Sequence, residues 1–380
     1  MSVSPYNILV SPPDVILTLL AQGLIQQYDK LKDNYSIIRQ NETELEPLLI
    51  SALPRLSALY MCEGKEDKVA SVHTVMEMAT QPVKEWGIDY FEKEDFPYRE
   101  IILIEPETLV PTLESLELAR EPGGYGEDQI LEKKYHNQVR KLVKAARSRK
   151  DELYTSIREF IVRHPLVTSQ ELEEWKDSLK FPKARKDIAS FYREIPSQWT
   201  HNNQQVHRCS HCGGLLRPVR DKTRYPDGLC VVSHCRRKGV FPKTNETLLA
   251  DEMKLLNSQL LTYWVGPGLD EIEIYDAAQK VGRNVKLYPD SDACDVALDG
   301  LAVGIDAKSY TSALMLINRL NTSIGKLANY ERKIIAISDE LEDEAGTYMA
   351  TLTFQKSGAA KNLEFMTVSA LINSIKSGHI

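Results

Sequence analysis

Four of the six cysteines lie close together, in two pairs that one metal ion could join. Cys209 and Cys212 form a Cys-x-x-Cys-Gly turn, and Cys230 and Cys235 follow as Cys-x4-Cys. The glycine after Cys212 relieves a tight backbone turn, so that two thiolates face one ion. Four sulfur ligands leave no coordination position for water, and in a reducing compartment this spacing favours a metal over disulfides. We predict a structural Zn²⁺ site here. Three histidines are spare ligands that we expect on the surface around it: His207, His211 and His234.

A second set of reactive side chains lies nearer the C terminus. Residues 301–307 (LAVGIDA) alternate as a strand that ends in Asp306-Ala-Lys308, which places Asp306 and Lys308 on one face. Asp299-Gly300 predicts a tight hairpin turn, which brings Asp295 alongside Asp306. Two carboxylates on one sheet face are costly unless a cation offsets them. We therefore predict that Asp295, Asp306 and the Ala307 carbonyl bind Mg²⁺ (or Mn²⁺), and that Lys308 acidifies or orients a metal-bound water for attack on a phosphodiester.

A helix predicted from Gly268, after Gly266-Pro-Gly, to about Val281 supplies a third carboxylate, Glu271, as a further Mg²⁺ ligand. Glu273 lies two residues away, and only one of the two can face the metal. We expect Asp290 and Asp292 to be loop carboxylates, one of which a second metal could recruit. The alternative interpretation of the whole set is that Asp295 and Asp306 are ordinary turn and strand-end residues.

The order Glu271, Asp295, Asp306-x-Lys308 resembles the PD-(D/E)xK nuclease superfamily over about residues 260–380. The resemblance implies an α-β-β-β-α-β core, with a helix over 311–326, a strand over 333–338 and a last helix near 368–375. More closely, the segments PGLDEIEIYDAA, VKLYPDSDACDVAL and LAVGIDAKSY resemble the restriction-endonuclease-related proteins (REases) of prokaryotic pPIWI-RE defence islands.

That resemblance implies a PIWI-like protein and a helicase of the same locus as partners. Members of this group also carry a zinc-binding cysteine cluster before the nuclease, as this chain does. Two positions depart from the group's pattern: Tyr288 stands where Trp precedes the proline, and Ser309-Tyr310 stands where Asp-Trp is usual. Neither departure removes a metal ligand. Both differ from the residues that are usual at these positions in the group.

The charge distribution suggests where nucleic acid would be bound. Residues 130–243 hold 25 basic against 12 acidic residues, whereas residues 1–129 and 244–380 carry net charges of −13 and −7. A basic middle between acidic ends is expected of a segment that meets a phosphate backbone, although the segments could instead neutralise one another. The candidate DNA contacts are Arg140, Lys141, Lys144, Arg236, Arg237 and Lys238.

Several local patterns predict the elements that carry these residues. Apolar residues recur at helical spacing from Pro12 to about Leu59, and Ile101–Ile104 reads as a strand. Residues 130–163 predict one long helix or two, and residues 168–171 (TSQE) form a capping box that opens another. We predict an α+β protein of four segments: a mostly helical N-terminal domain (1–129), a basic helical region (130–205), a zinc-ribbon-like module (206–243) and a restriction-endonuclease-like α/β domain (244–380).

The composition is that of a globular chain, with 42% hydrophobic residues among 380. No run approaches the ~18 apolar residues of a membrane span, and the N-terminal sequence lacks a signal-peptide pattern, so we expect a soluble cytoplasmic protein without a membrane partner. The predicted activity is that of a Mg²⁺-dependent endodeoxyribonuclease acting in defence against phage or plasmid DNA. The alternatives are a non-catalytic subunit that binds nucleic acid or a partner, and a zinc-dependent hydrolase, which would need an open position at the cysteines.

Overall fold

The computed structural model describes residues 12–31, 45–120, 131–144, 149–179, 187–342 and 345–380. These residues form two compact units. Unit 1 comprises the described residues up to 134 together with Tyr310–Met315, and unit 2 comprises Tyr135–Ser309 with Leu316–Ile380. In the part of the chain that the structure describes, no helix is both long and apolar enough to cross a bilayer.

Unit 1 is built around two long helices that pack against each other. Their contact is close because Gly23 has no side chain: a Cβ there would lie 2.5 Å from the backbone nitrogen of Leu49. The predicted helical periodicity over residues 12–59 is confirmed where the structure describes it, since most of the periodic leucines are buried. The helices are α1 (Pro13–Leu31), α2 (Pro47–Cys62), α3 (Val72–Met78), α4 (Asp89–Glu92) and α5 (Leu113–Leu118).

The strand predicted over Ile101–Ile104 is wrong. Ile104 makes only an isolated bridge with Pro111. The neighbouring backbone groups bond to turns instead, because the amide of Val83 donates to the Ile101 carbonyl and the amide of Leu103 donates to Ala79. The apolar run is therefore a buried connection.

Helices and a small sheet begin unit 2. The segment predicted as one long helix or two contains two, α6 (Leu131–Lys144) and α7 (Lys150–Arg163), followed by α8 (Ser169–Ser178). The predicted capping box is confirmed, since the Thr168 side chain accepts from the Glu171 amide and Glu171 accepts from the Thr168 amide. An antiparallel sheet has the order β1 (Leu166–Thr168), β7 (Met253–Leu256), β2 (Tyr192–Arg193).

The cysteines are carried by a second antiparallel sheet and one short helix. The strands pair in the order β5-β4-β3-β6. They are β3 (Gln205–Arg208), β4 (Leu215–Arg217), β5 (Leu229–Cys230) and β6 (Leu248–Leu249), and the helix is α9 (Ser233–Lys238).

The C-terminal part of unit 2 is a five-stranded mixed sheet with helices. The elements run α10 (Ser258–Leu260), a π-helical turn (Leu261–Val265), α11 (Gly266–Lys280), β8 (Val285–Leu287), β9 (Val296–Leu298), β10 (Val303–Lys308), α12 (Ala313–Thr322), β11 (Arg332–Ile337), α13 (Thr347–Gln355), β12 (Glu364–Thr367) and α14 (Val368–Lys376). Sheet order is β12-β11-β10-β9-β8, with β8, β9 and β10 antiparallel and β10, β11 and β12 parallel.

This order contains the predicted helix, three strands, helix and strand, together with the predicted last helix. The protein is α+β, as expected from the sequence. Helix α13 and strand β12 were not predicted. All four residues of β12 are half-buried, so the strand shows no alternating pattern by which it could be recognised. The four-segment division of the chain stays a prediction.

Candidate active site and candidate metal centre

A β-hairpin places the first part of the acidic set. Asp299 and Gly300 both have left-handed backbones, with φ of 52° and 78°, and begin the connection between β9 and β10, which is four residues long (299–302) rather than the predicted two-residue turn. The resulting register pairs Asp295 with the middle of β10: its amide donates to the Ile305 carbonyl at 3.1 Å and to Asp306 Oδ1 at 3.2 Å. Asp295 Oδ2 in turn accepts from the Ala307 amide at 2.9 Å. The hairpin therefore brings the two aspartates together.

Lys308 lies on the same face of β10 as Asp306. Its Nζ is 3.6 Å from Asp306 Oδ2 and 3.7 Å from Asp295 Oδ2, and it donates to the Ala307 carbonyl at 3.2 Å. Burial disfavours the charged amine, but Asp306 and Asp295 hold the pKa of Lys308 above its ordinary value. Burial raises the pKa of Asp306 to about 6, with Lys308 opposing the shift and Asp295 adding to it. An amine that is charged at neutral pH thus lies beside two carboxylates.

Glu271 is linked to the aspartates through a cationic side chain, Arg158. The residue lies on α11, and its carboxylate accepts from Arg158 Nη2 on α7 at 3.0 and 3.1 Å and from the Tyr288 hydroxyl at 2.5 Å. Arg158 Nη2 is also 3.6 Å from Asp295 Oδ1. Burial raises the pKa of Glu271 to about 8, which Arg158 opposes and Asp295 increases. The structure places Glu271 beside the arginine, and the arginine beside Asp295.

The sequence analysis did not predict that Arg158, His136 and Tyr288 would contribute to this site. Arg158 forms an ion pair with Asp292, whose other carboxylate oxygen lies 3.6 Å from His136 Nδ1. The Arg158 guanidinium also stacks on the Tyr288 ring at 3.9 Å. One sequence signal could have found Arg158: it shares a helical face with the apolar Tyr154, Ile161 and Val162, where a charged residue needs a buried partner.

We define the acidic cluster as Glu271, Asp292, Asp295 and Asp306 with the cations Arg158 and Lys308. Its members come from α7, α11, the turn after β8 and strand β10. That turn is unusual, since Tyr288, Asp290, Ser291 and Asp292 all have positive φ without being glycines. Left-handed backbone is costly for such residues and recurs at functional sites.

The four predicted cysteines form a compact buried group, the cysteine cluster (Cys209, Cys212, Cys230 and Cys235), whose sulfur atoms all lie within 4.8 Å of one another. Sγ of Cys209 is 3.7 Å from that of Cys235, and Sγ of Cys212 is 3.4 Å from that of Cys230. Gly213 has a φ of 70°, as the predicted turn requires. A buried group of four thiols can hold a structural metal such as zinc.

The spare histidines occupy different positions around this centre. His211 Nδ1 lies 3.2 Å from Cys235 Sγ. His234 is buried rather than at the surface, so the surface expectation was wrong for this residue: its Nε2 lies 3.1 Å from Asp270 Oδ1 on α11. Asp270 also pairs with Lys238 and accepts a hydrogen bond from Ser338. Burial disfavours its carboxylate, but His234 and Lys238 hold the pKa of Asp270 below its ordinary value.

The candidate DNA contacts fall into two classes. Arg140, Lys141 and Lys144 are exposed on α6, and Arg140 donates to the Ser291 carbonyl at 3.1 Å. On α9, Lys238 lies 2.7 Å from Asp270 and 3.1 Å from Glu273, which leaves its side chain 15% exposed. The other two candidates also make contacts: Arg236 donates to the Cys230 carbonyl at 2.8 Å, and Arg237 Nη2 lies 3.3 Å from His234 Nδ1.

Two segments of the chain match known family models. Residues 268–379 match a family model described as "REase associating with pPIWI_RE". Residues 16–168 match a second model, "pPIWI_RE three-gene island domain Y". No curated protein and no solved structure matches the chain. The resemblance to the REases of pPIWI-RE islands is confirmed. The second match covers most of the N-terminal segment, which the sequence analysis could describe only as helical.

Proposed function

We propose that this chain is a metal-dependent DNA endonuclease of a prokaryotic defence island, with Asp295, Asp306 and Lys308 at its catalytic centre. One observation carries the proposal: Lys308 Nζ lies within 3.7 Å of both aspartates, although Asp295 comes from the other strand of the hairpin. The group lies inside the region that matches the REase family. The order of helix, three strands, helix and strand supports a restriction-endonuclease-like, PD-(D/E)xK-type core.

The donor set fits a hard divalent cation. Asp295, Asp306 and the Ala307 carbonyl offer oxygen atoms, which Mg²⁺ and Mn²⁺ prefer. When bound, such an ion would supply Lewis-acid polarisation of the phosphodiester. Asp295 and Asp306 are the residues that would hold it.

Lys308 acts as a fixed positive charge. Its Nζ lies within 3.7 Å of both aspartates and donates to the Ala307 carbonyl, so the amine faces the oxygen atoms that would hold the cation. An ammonium held in this position stabilises the negative charge that develops on the phosphoryl oxygens during hydrolysis. Electrostatic stabilisation is therefore the role that we propose for this lysine.

The remaining parts of the chain would position DNA and partners. The cysteine cluster would hold a structural Zn²⁺ in a ribbon-like module, and the exposed basic residues of α6 would contact phosphates. The island named by the family models supports partners encoded at the same locus, for which we propose a PIWI-like protein and a helicase. The substrate would be phage or plasmid DNA in the cytoplasm.

A plasmid-nicking assay in Mg²⁺ or Mn²⁺ tests the proposal. Lys308→Ala and Asp306→Asn should each lower the cleavage rate at least ~100-fold, which is the usual loss when a charge-stabilising group is removed from an active site. Lys286→Ala is the matched control, because Lys286 is an exposed lysine on β8 of the same sheet. Equal cleavage by the wild-type chain and Lys308→Ala would exclude this catalytic centre.

A second function, non-catalytic binding of nucleic acid, is favoured by the pairing of Glu271 with Arg158 and Tyr288. A carboxylate held in this way is not free to complete a metal site. This alternative predicts salt-sensitive DNA binding that survives Asp306→Asn, without strand scission in either metal. Cleavage that depends on Asp306 excludes it.

A further inference from the structure

Arg158 is a charged residue in an almost completely buried position. It lies on α7, within the region that matches domain Y, whereas the carboxylates around it lie in the region that matches the REase family. Its side chain is only 7% exposed and contacts Glu271 and Asp292, with Asp295 Oδ1 at 3.6 Å. A buried arginine with several carboxylate partners is costly to break, since the loss of one partner leaves an uncompensated charge.

The contacts of Glu271 leave it little capacity for another cation. One carboxylate oxygen accepts from Arg158 at 3.0 Å, and the other accepts from Arg158 at 3.1 Å and from the Tyr288 hydroxyl at 2.5 Å. The Glu271 side chain is 3% exposed. Both bonds from the arginine come from one nitrogen, Nη2, which lies between the two carboxylate oxygens, and such charge-assisted hydrogen bonds are strong. Glu271 is therefore fixed by protein groups on both oxygens.

Tyr288 fixes the arginine from its other face. Its ring lies 3.9 Å from the guanidinium carbon, and its hydroxyl holds the same carboxylate that Arg158 binds. The tyrosine has a left-handed backbone, with φ of 48°, which is sterically unfavourable for an aromatic residue. The three side chains thus hold one another in a single arrangement, the Arg158–Glu271–Tyr288 clamp.

We propose that Arg158 is a positioning residue that the domain-Y segment supplies to the REase site. Through this clamp it keeps Glu271 out of direct metal coordination, and by pairing with Asp292 and Asp295 it weakens the affinity of the acidic cluster for a divalent cation. The inference deepens the proposed function and rests on it for the identity of the site. It assigns metal binding to Asp295 and Asp306 and leaves Glu271 to orient the arginine.

Calorimetric titration of the full chain with Mn²⁺ tests this without an activity readout. Arg158→Met should bind Mn²⁺ about tenfold more tightly than wild type, because an opposing charge about 4 Å from the ligands is removed. Arg163→Met is the matched control, since Arg163 lies on the same helix but pairs with Asp276 and Glu159. Unchanged affinity in Arg158→Met would overturn the proposal.

A second variant keeps the proposal open to refutation if Arg158→Met fails to fold. Glu271→Gln retains the size of the side chain and an oxygen that accepts from Tyr288, but removes one negative charge near the metal ligands, so it should weaken Mn²⁺ binding by no more than about tenfold. A loss as large as that caused by Asp306→Asn would show that Glu271 is a direct ligand and would overturn the proposal.

The failure of this inference is distinguishable from failure of the proposed function. If Asp306→Asn abolishes Mn²⁺ binding and cleavage while Arg158→Met binds like wild type, the inference fails and the nuclease stands. If Arg158→Met binds more tightly but no variant cuts DNA, the nuclease fails and the role of Arg158 stands.

Discussion

The cysteine cluster and the acidic cluster both gather groups that repel one another when ionised, but they differ in what offsets the charge. In the acidic cluster, Arg158 and Lys308 lie within 4 Å of carboxylate oxygens. In the cysteine cluster, the sulfur atoms lie against one another, with the two closest pairs 3.4 and 3.7 Å apart. Thiols can stay protonated until a metal binds, whereas most carboxylates cannot stay protonated at neutral pH.

Because of this difference, we expect the folds around the two clusters to depend differently on bound metal. The fold around the cysteines should require its ion, because metal binding to such sites is coupled to folding. The acidic cluster carries its own cations, so its fold should persist when divalent cations are absent. Three further experiments probe this contrast.

The largest effect is expected at the cysteine cluster. Cys212→Ser should abolish zinc binding and lower the free energy of unfolding by more than about 4 kcal/mol, since both a metal and a buried ligand are lost. Zinc content and thermal unfolding measure this. Cys62→Ser is the control, because Cys62 is an exposed cysteine of unit 1. A Cys212→Ser protein with wild-type stability and metal content would contradict the structural role of the cluster.

A smaller effect of opposite sign is expected at the acidic cluster. In buffer without Mg²⁺, Asp306→Asn should raise the free energy of unfolding at pH 7 by about 2 to 3 kcal/mol, because burial has raised the pKa of Asp306 from its ordinary value of 3.8 to about 6. The folded state then binds more protons than the unfolded state between pH 4 and 6. Wild-type stability should therefore rise as the pH falls through this window.

Urea denaturation of both proteins at several pH values measures the difference. It should be largest at pH 7 and shrink toward zero only near pH 3, below both pKa values, where Asp306 is protonated in the folded and the unfolded state. A difference that does not change with pH would show that the gain does not come from the charge of Asp306.

The smallest effect is expected at the exposed basic residues of α6, which belong to neither cluster. Lys141→Gln combined with Lys144→Gln should weaken DNA binding about tenfold and reduce the slope of log affinity against log salt by about 2, because two phosphate contacts are lost. Lys238→Gln should leave that slope unchanged, since its amine is paired with Asp270 and Glu273. Fluorescence anisotropy at several salt concentrations measures both, and a lower slope in Lys238→Gln would place Lys238 in the DNA contact surface after all.

Most of the correct predictions came from patterns of residues that lie close together in the sequence. Both cysteine pairs and the hairpin at Asp299-Gly300 depend on residues close together in the sequence, and α11 follows from helical signals in a single segment. The strand predicted over Ile101–Ile104 failed because its backbone groups bond to turns, which an apolar run does not reveal. Strand β12 was not predicted because all four of its residues are half-buried.

The sequence alone determined that Asp306 and Lys308 share one face of β10, because side chains alternate along a strand. The four-residue connection 299–302 decided that Asp295 lies opposite Asp306, since a two-residue turn at Asp299-Gly300 would have placed it opposite Gly304. The sequence also determined the cysteine ligands, since their spacing places each pair in one short turn. The partner of Glu271 was decided only by the tertiary structure. Arg158 lies 113 residues away along the chain, and its burial against Glu271 depends on how α7 packs against α11. No local pattern encodes that contact, because the cost of burying a charge is set by the groups that surround it after folding.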